Sequence, residues 1–172
     1  MQCRERWTGV LPQDADGNGD NKMMDIDVIC VGKLKEKYWR EALAEYEKRL
    51  SAYCRFSVTE LKESRSDDAG EEGAEILKRL EDDRYVIALE ISGKELSSEK
   101  LAEKISALAL EGRSRLSFVI GGSEGLSAGV LQRADYRLSF GPMTFPHQMM
   151  RIILAEQVYR SFKIIRHEKY HK

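Results

Sequence analysis

Cysteine is scarce in this 172-residue chain: Cys3, Cys30 and Cys54 are odd in number and far apart. They suit neither a disulfide framework nor a metal-ligand spacing, which points to a reducing compartment and to chemistry without a metal. A run of residues long and apolar enough to span a bilayer is also lacking. The first residues have no apolar core of the kind a signal peptide needs. A cytoplasmic protein with no membrane association is therefore expected. Hydrophobic content of 42% and charged content of 33% fit one globular domain with a real core. Proline is limited to three residues, yet two of them, Pro142 and Pro146, share one short loop.

Charge is small in total and uneven in distribution. Residues 133–172 hold eight Lys/Arg against three acids, a local +5, which leaves −6 on residues 1–132. All three histidines, His147, His167 and His171, lie in the basic part. Such segregation fits an anionic partner, nucleic acid or phosphate, and equally a solvated basic terminus. At the other end, residues 1–22 are polar, Gly-rich and without periodicity, and read as a disordered leader to a folded unit over 23–172. Asp14–Gly19 has a sparse likeness to a calcium loop, but the helical flanks such a loop needs are missing.

From Asp25 onward, strand and helix signals alternate. Strands are predicted at Asp25–Val31, Phe56–Lys62, Tyr85–Ile91, Leu116–Ile120 and Tyr136–Phe140, and helices at Tyr38–Tyr53, Ala74–Glu81, Leu101–Glu111, Ser127–Ala134 and Gln148–Phe162. Glu63–Glu72 reads as a charged loop, Gly93 as the opening of a turn, and Ser97 or Ser98 and Ser127 as helix caps. This alternation implies an α/β domain with a mostly parallel sheet. Ligands bind such sheets beyond the carboxyl ends of the strands. Three ends carry unusual residues, Leu89–Gly93, Gly121–Gly125 and Gly141–Pro146, so a pocket is expected there.

The last predicted helix is the hub of this reading. Met149, Met150, Ile152, Ile153, Leu154, Ala155, Val158, Tyr159 and Phe162 leave it almost no polar face, so it should be covered on more than one side, the second cover being another subunit. The loop before it is stiffened by its prolines. His147 at the helix start reads as a loop support. Arg151 has no oppositely charged residue four positions away, and an unpaired arginine on an apolar helix is a functional candidate. Gly121-Gly-Ser-Glu-Gly125 matches the nucleophile elbow Gly-x-Ser-x-Gly, with Asp135 and His147 following in hydrolase order. One short strand and a stiff loop leave those two little room to converge on Ser123. The glycines also fit a backbone that approaches a ligand closely. Neither a dinucleotide glycine run nor a Walker ending follows the first strand.

Several segments taken in order resemble one family. They are Phe118-Val-Ile-Gly-Gly-Ser-Glu-Gly125, Arg133-Ala-Asp135, Leu138-Ser139, Met143-Thr-Phe-Pro-His-Gln-Met-Met-Arg151, Glu156-Gln-Val-Tyr-Arg160 and Tyr170-His-Lys172. Together, over about Met24 to Lys172, the chain resembles the RlmH family, bacterial SPOUT-class methyltransferases that act on N3 of a pseudouridine in 23S rRNA. The resemblance implies a five- or six-stranded α/β sheet with helices on both faces and a C-terminal trefoil knot. It implies S-adenosylmethionine held by Leu89, Gly122, Gly141, Pro142, Met143, Thr144, Phe145 and Pro146. It also implies a homodimer joined through the C-terminal helices, 23S rRNA within the assembled ribosome as substrate, and no metal. On this reading Arg151 stabilises the developing anion, His171 accepts the N3 proton, and Tyr170 and Lys172 grip the base or phosphates. The competing readings are a SPOUT enzyme for another rRNA or tRNA base, a catalytically silent ribosome-associated RNA binder, and a serine hydrolase acting through Ser123.

Overall fold

The computed structural model describes residues 23–66 and 68–170. The leader at 1–22, with Cys3 and the calcium-like stretch, lies outside the described residues, as do His171 and Lys172. Five strands alternate with five helices: β1 (Asp25–Val31), α1 (Lys37–Leu50), β2 (Arg55–Leu61), α2 (Ala69–Arg79), β3 (Tyr85–Glu95), α3 (Ser98–Leu110), β4 (Arg115–Ile120), α4 (Ala128–Arg133), β5 (Tyr136–Ser139) and α5 (His147–Ile165). The strands form one sheet in the order β2-β1-β4-β3-β5, with every pairing parallel.

Alternation along the strands sends side chains to two cores, because successive residues face opposite sides of a sheet. Ile26, Val28 and Cys30 of β1 join Phe118 of β4 under α3 and α5, together with Leu50 at the end of α1. Ile29 and Val31 join Val86 and Val119 on the other side, under Ile76 of α2 and Val130 of α4. Helices therefore cover both faces. Ser97 caps α3 and Ser127 caps α4 through their side-chain oxygens, as expected.

Two expectations are corrected. The stretch expected to be a charged loop already belongs to α2 from Ala69: Asp68 accepts hydrogen bonds from the N–H groups of Gly70 and Glu71, and Glu71 and Glu72 suit the positive end of the helix. Gly93 does not end β3, which runs on to Glu95. Leu138 of β5 pairs with both Leu89 and Lys94, so Glu90–Gly93 bulge out of the ladder between them. Within the chain, α5 is covered on its inner sides, and Met149, Ile152, Ile153 and Tyr159 stay half-buried. It lies on the sheet, packs Leu154, Val158 and Phe162 into the core with α3, and packs Ala155 against Leu43 of α1. No residue from Gln148 to Arg166 is fully exposed.

The amino ends of the strands are stitched together by arginine. Arg84 is buried, pairs with Asp25 at 3.1 Å and donates to the carbonyl of Leu116 at 3.0 Å. Arg115 reaches Glu81 and Asp83, and Arg133 donates to the carbonyls of Glu81, Asp82 and Arg84. The carboxyl ends are left for the site.

Candidate functional site

The three strand ends converge. They enclose a cavity of about 530 Å³, within the ~300–1,000 Å³ usual for small-molecule sites. Leu89 at the end of the regular part of β3, Gly122 after β4, and Gly141 with Met143–Pro146 after β5 all line it. Pro142 is not among the lining residues. The floor comes from residues that strand periodicity alone did not single out, Ile120, Leu138 and Phe140, with Met150 from α5. Their signal was present, since each stands on or beside a strand end already marked by its loop.

The glycine turn after β4 is required by space. A Cβ on Gly121 would lie 2.3 Å from the carbonyl oxygen of Gly125, and one on Gly122 would lie 2.7 Å from Oε2 of Glu72. The turn closes with the N–H of Gly125 donating to the carbonyl of Gly122 at 3.2 Å, and backbone rather than side chain forms that wall. Gly141 takes a φ of 105°, a region open to glycine, where the chain leaves β5. Ser139 holds this exit by donating from Oγ to the carbonyl of Ile91 at 2.9 Å and accepting from the N–H of Gly141 at 3.1 Å.

Two polar groups of the lining have a buried atom without a hydrogen bond: Glu90 at Oε2 and His147 at Nε2. Oε1 of Glu90 accepts from the hydroxyl of Ser92 at 2.8 Å, and Nη1 of Arg137 stands 3.9 Å from Oε2. Nε2 of His147 is 3.8 Å from Oε1 of Glu63, too far for a hydrogen bond. Burial, and then the Arg151 guanidinium, push the imidazole below its ordinary value, so it is neutral at pH 7.

Arg151 departs most from expectation. It is not unpaired. Its side chain is fully buried, Nη1 donates to Oε1 of Glu60 at 2.9 Å, and Nη2 donates to the carbonyls of Val31 and Gly32 at 2.6 and 2.9 Å. The carboxylate partner lies 91 positions away on β2, beyond any spacing along the helix. The guanidinium ties α5 to the end of β1, and Arg151 is not among the residues that line the cavity. Beside it, burial pushes the Cys30 thiol up to about 12, which leaves it inert at neutral pH.

The hydrolase arrangement does not form. Asp135 precedes β5 at the amino edge of the sheet, where Oδ2 accepts from the N–H of Val86 at 2.7 Å, while Ser123 and His147 stand at the carboxyl edge. Tyr170 is also remote from the cavity. Its ring meets Tyr159 edge-on at 5.0 Å and lies 4.6 Å under the Arg160 guanidinium, near the far end of α5. Glu168 fixes that approach by accepting from the Tyr53 hydroxyl at 2.7 Å and pairing with Lys163. Among the described residues no group of three or more His, Cys, Asp or Glu could hold a metal ion. No helix among them is long and apolar enough to cross a membrane.

A wholly parallel open sheet whose cavity is built from glycine- and proline-shaped loops beyond the strand ends defines a small-molecule-binding α/β protein. The profile of the family described as predicted SPOUT methyltransferase matches residues 24–171, and the chain belongs to that family. Proteins named ribosomal RNA large subunit methyltransferase H are similar over their whole length and 87% of this chain. The one from Clostridium novyi is 53% identical and the one from Bifidobacterium adolescentis 50%. The fold is also similar to that of a probable methylase family protein from Haemophilus influenzae, with a TM-score of 0.52 at 16% identity, covering 86% of this chain and 70% of that one. A tRNA (m1G37) methyltransferase from Aquifex aeolicus gives a TM-score of 0.51 at 13% identity, covering 86% and 75%.

Proposed function

We propose that this protein transfers a methyl group from S-adenosylmethionine to N3 of a pseudouridine in 23S rRNA, working in the cytoplasm as a homodimer on the assembled ribosome. The observation that carries the reading is the convergence of the three strand-end loops on one cavity in a chain of this family. The lining residues fit the cofactor. Ile120, Leu138 and Phe140 offer apolar walls to a purine, the Gly121–Gly125 turn offers backbone at close range, and Glu90 and His147 offer polar atoms with no partner of their own.

When bound, S-adenosylmethionine supplies a methyl group already activated by its sulfonium charge. The protein's task is then alignment, worth ~7–11 kcal/mol of barrier when two reactants are held in line. Loops 121–125 and 141–146 hold the donor and exclude water. Arg151 acts as a positioning residue, because it locks the start of α5 to β1. The N3 proton of the acceptor leaves toward a base at the cavity mouth. His171 has that role, and Tyr170 and Lys172 grip the nucleotide.

Those three residues serve the cavity of the second protomer. Twelve residues of α5 separate His147 from Tyr159, roughly 18 Å of helix, whereas two residues beyond Tyr170 reach at most about 7 Å. A two-fold partner brings its tail to the cavity that a protomer's own tail cannot reach. Ile91 and Met143, exposed at 61% and 69% on the cavity rim, give that partner an apolar seat. The trefoil knot belongs to this proposal, supported by the passage of β5 alongside the Glu90–Gly93 bulge that Ser139 clasps.

The test is to incubate the purified protein with radiolabelled S-adenosylmethionine and 70S ribosomes from a strain lacking the enzyme, then to identify the modified nucleoside by mass spectrometry. N3-methylpseudouridine in 23S rRNA is expected. Label in another base, or none, overturns the reading.

A further inference from the structure

The bulge in β3 gives Glu90 a place that an unbroken strand would not. Bulges re-aim side chains and cluster beside active sites. This one is held on both sides, since Leu89 and Lys94 both pair with Leu138 while the carbonyl of Ile91 is taken by Ser139. A Cβ on Gly93 would lie 2.9 Å from the backbone of Arg137, so the bulge sits directly on β5 and cannot relax toward it. Glu90 is thereby fixed in the cavity lining with its two carboxylate oxygens unequally served. Oε1 accepts from Ser92, whereas Oε2 is closed to solvent and accepts from nothing. A buried acceptor left unbonded is destabilising, because it has given up water without a replacement.

We infer that Oε2 of Glu90 accepts a hydrogen bond from a ribose hydroxyl of the bound nucleoside. This deepens, and rests on, the reading of the cavity as a site for S-adenosylmethionine. The charge already has a counterpart: Nη1 of Arg137 stands 3.9 Å away, near enough to offset the carboxylate but too far to donate. What is missing is one hydrogen bond rather than one positive charge, and a neutral hydroxyl supplies it. The cofactor's ammonium would crowd a second cation against Arg137 for a single open oxygen. The position also suits a sugar, because an acidic residue beyond a parallel strand is the ordinary partner of a ribose hydroxyl in α/β nucleotide sites.

Calorimetry separates the alternatives. The ligands are S-adenosylmethionine, 5′-methylthioadenosine, which lacks the amino-acid arm, and the 2′-deoxy and 3′-deoxy forms of methylthioadenosine. Glu90→Ala is expected to weaken S-adenosylmethionine and methylthioadenosine alike, by about 10- to 100-fold, as for loss of a charge-assisted hydrogen bond. Removing the hydroxyl that meets Glu90 should weaken the wild type by a similar factor and the Glu90→Ala variant hardly at all. Glu90→Gln, which keeps an acceptor of the same shape, should recover part of the loss, and this distinguishes the contact from a general disturbance of the bulge. The inference is overturned if Glu90→Ala binds as the wild type does, if it weakens only the ligand with the amino-acid arm, or if its effect and that of each deoxy analogue simply multiply. Failure of the wild type to bind any of the four would instead overturn the cofactor reading itself.

Discussion

Arg151 shows how far a single residue can be from its apparent role. A cation without a neighbour on its own helix is, in space, the donor to one carboxylate and two carbonyls from the far end of the chain. Breaking such a buried arrangement from one side is costly, because the remaining groups cannot find water. Arg151→Met is expected to lower stability by about 3–5 kcal/mol, read from urea unfolding. A variant as stable as the wild type would show that the guanidinium is dispensable to the fold. His147 offers a second test at this scale. Its folded-state pKa is depressed, mainly by burial, so the unfolded chain takes up the proton first as pH falls. Stability from this residue is complete above the ordinary histidine range and is lost below about pH 6.5. Replacing His147 by Gln should flatten the fall in melting temperature between about pH 6.5 and pH 5. An unchanged slope would mean that other groups carry it.

Among the elements, α2 and β3 are instructive. Gly70 and Gly73 are poor helix residues, and propensity alone therefore delayed the expected start of α2 to Ala74. Gly73 is in the helix for a reason that sequence periodicity does not carry. A Cβ there would lie 2.0 Å from Oγ of Ser127, the residue that caps α4. Gly73→Ala should therefore gain helix propensity yet lose net stability, by about 1–3 kcal/mol, as α4 is pushed off its cap. A thermal melt above that of the wild type would refute this packing argument. The same contrast explains what was legible beforehand. The five strands and five helices could be read from alternation and capping because those signals are local. The three site loops could be read because glycine and proline mark strand ends. The bulge at Glu90–Gly93 and the partner of Arg151 depend on β5 and β2, distant in sequence, and a lone glycine such as Gly93 signals a turn because it carries no record of what lies against it.

For the whole molecule, the two edges of the sheet divide the labour. Arg84, Arg115 and Arg133 close the amino edge, and the carboxyl edge is free to form a cavity. The described tail ends near the closed edge, which makes a two-fold assembly part of the proposed chemistry. Mixing tests it directly. Protomers lacking residues 170–172 and protomers carrying Leu89→Glu in the cavity wall should each be silent as homodimers. Random exchange between them should restore about a quarter of wild-type activity, since half the dimers then hold one intact site. A mixture that remains silent would place the tail in its own protomer's site. The strand order has a consequence for biosynthesis. The side of β1 that bears Ile26, Val28 and Cys30 is roofed by α5, and the Arg151 clasp on Val31 spans 120 positions. Part of the apolar flank of β1 is thus left uncovered until α5, far along the chain, has been made. Nascent chains of this protein should lean on holdase chaperones more heavily than their modest size suggests.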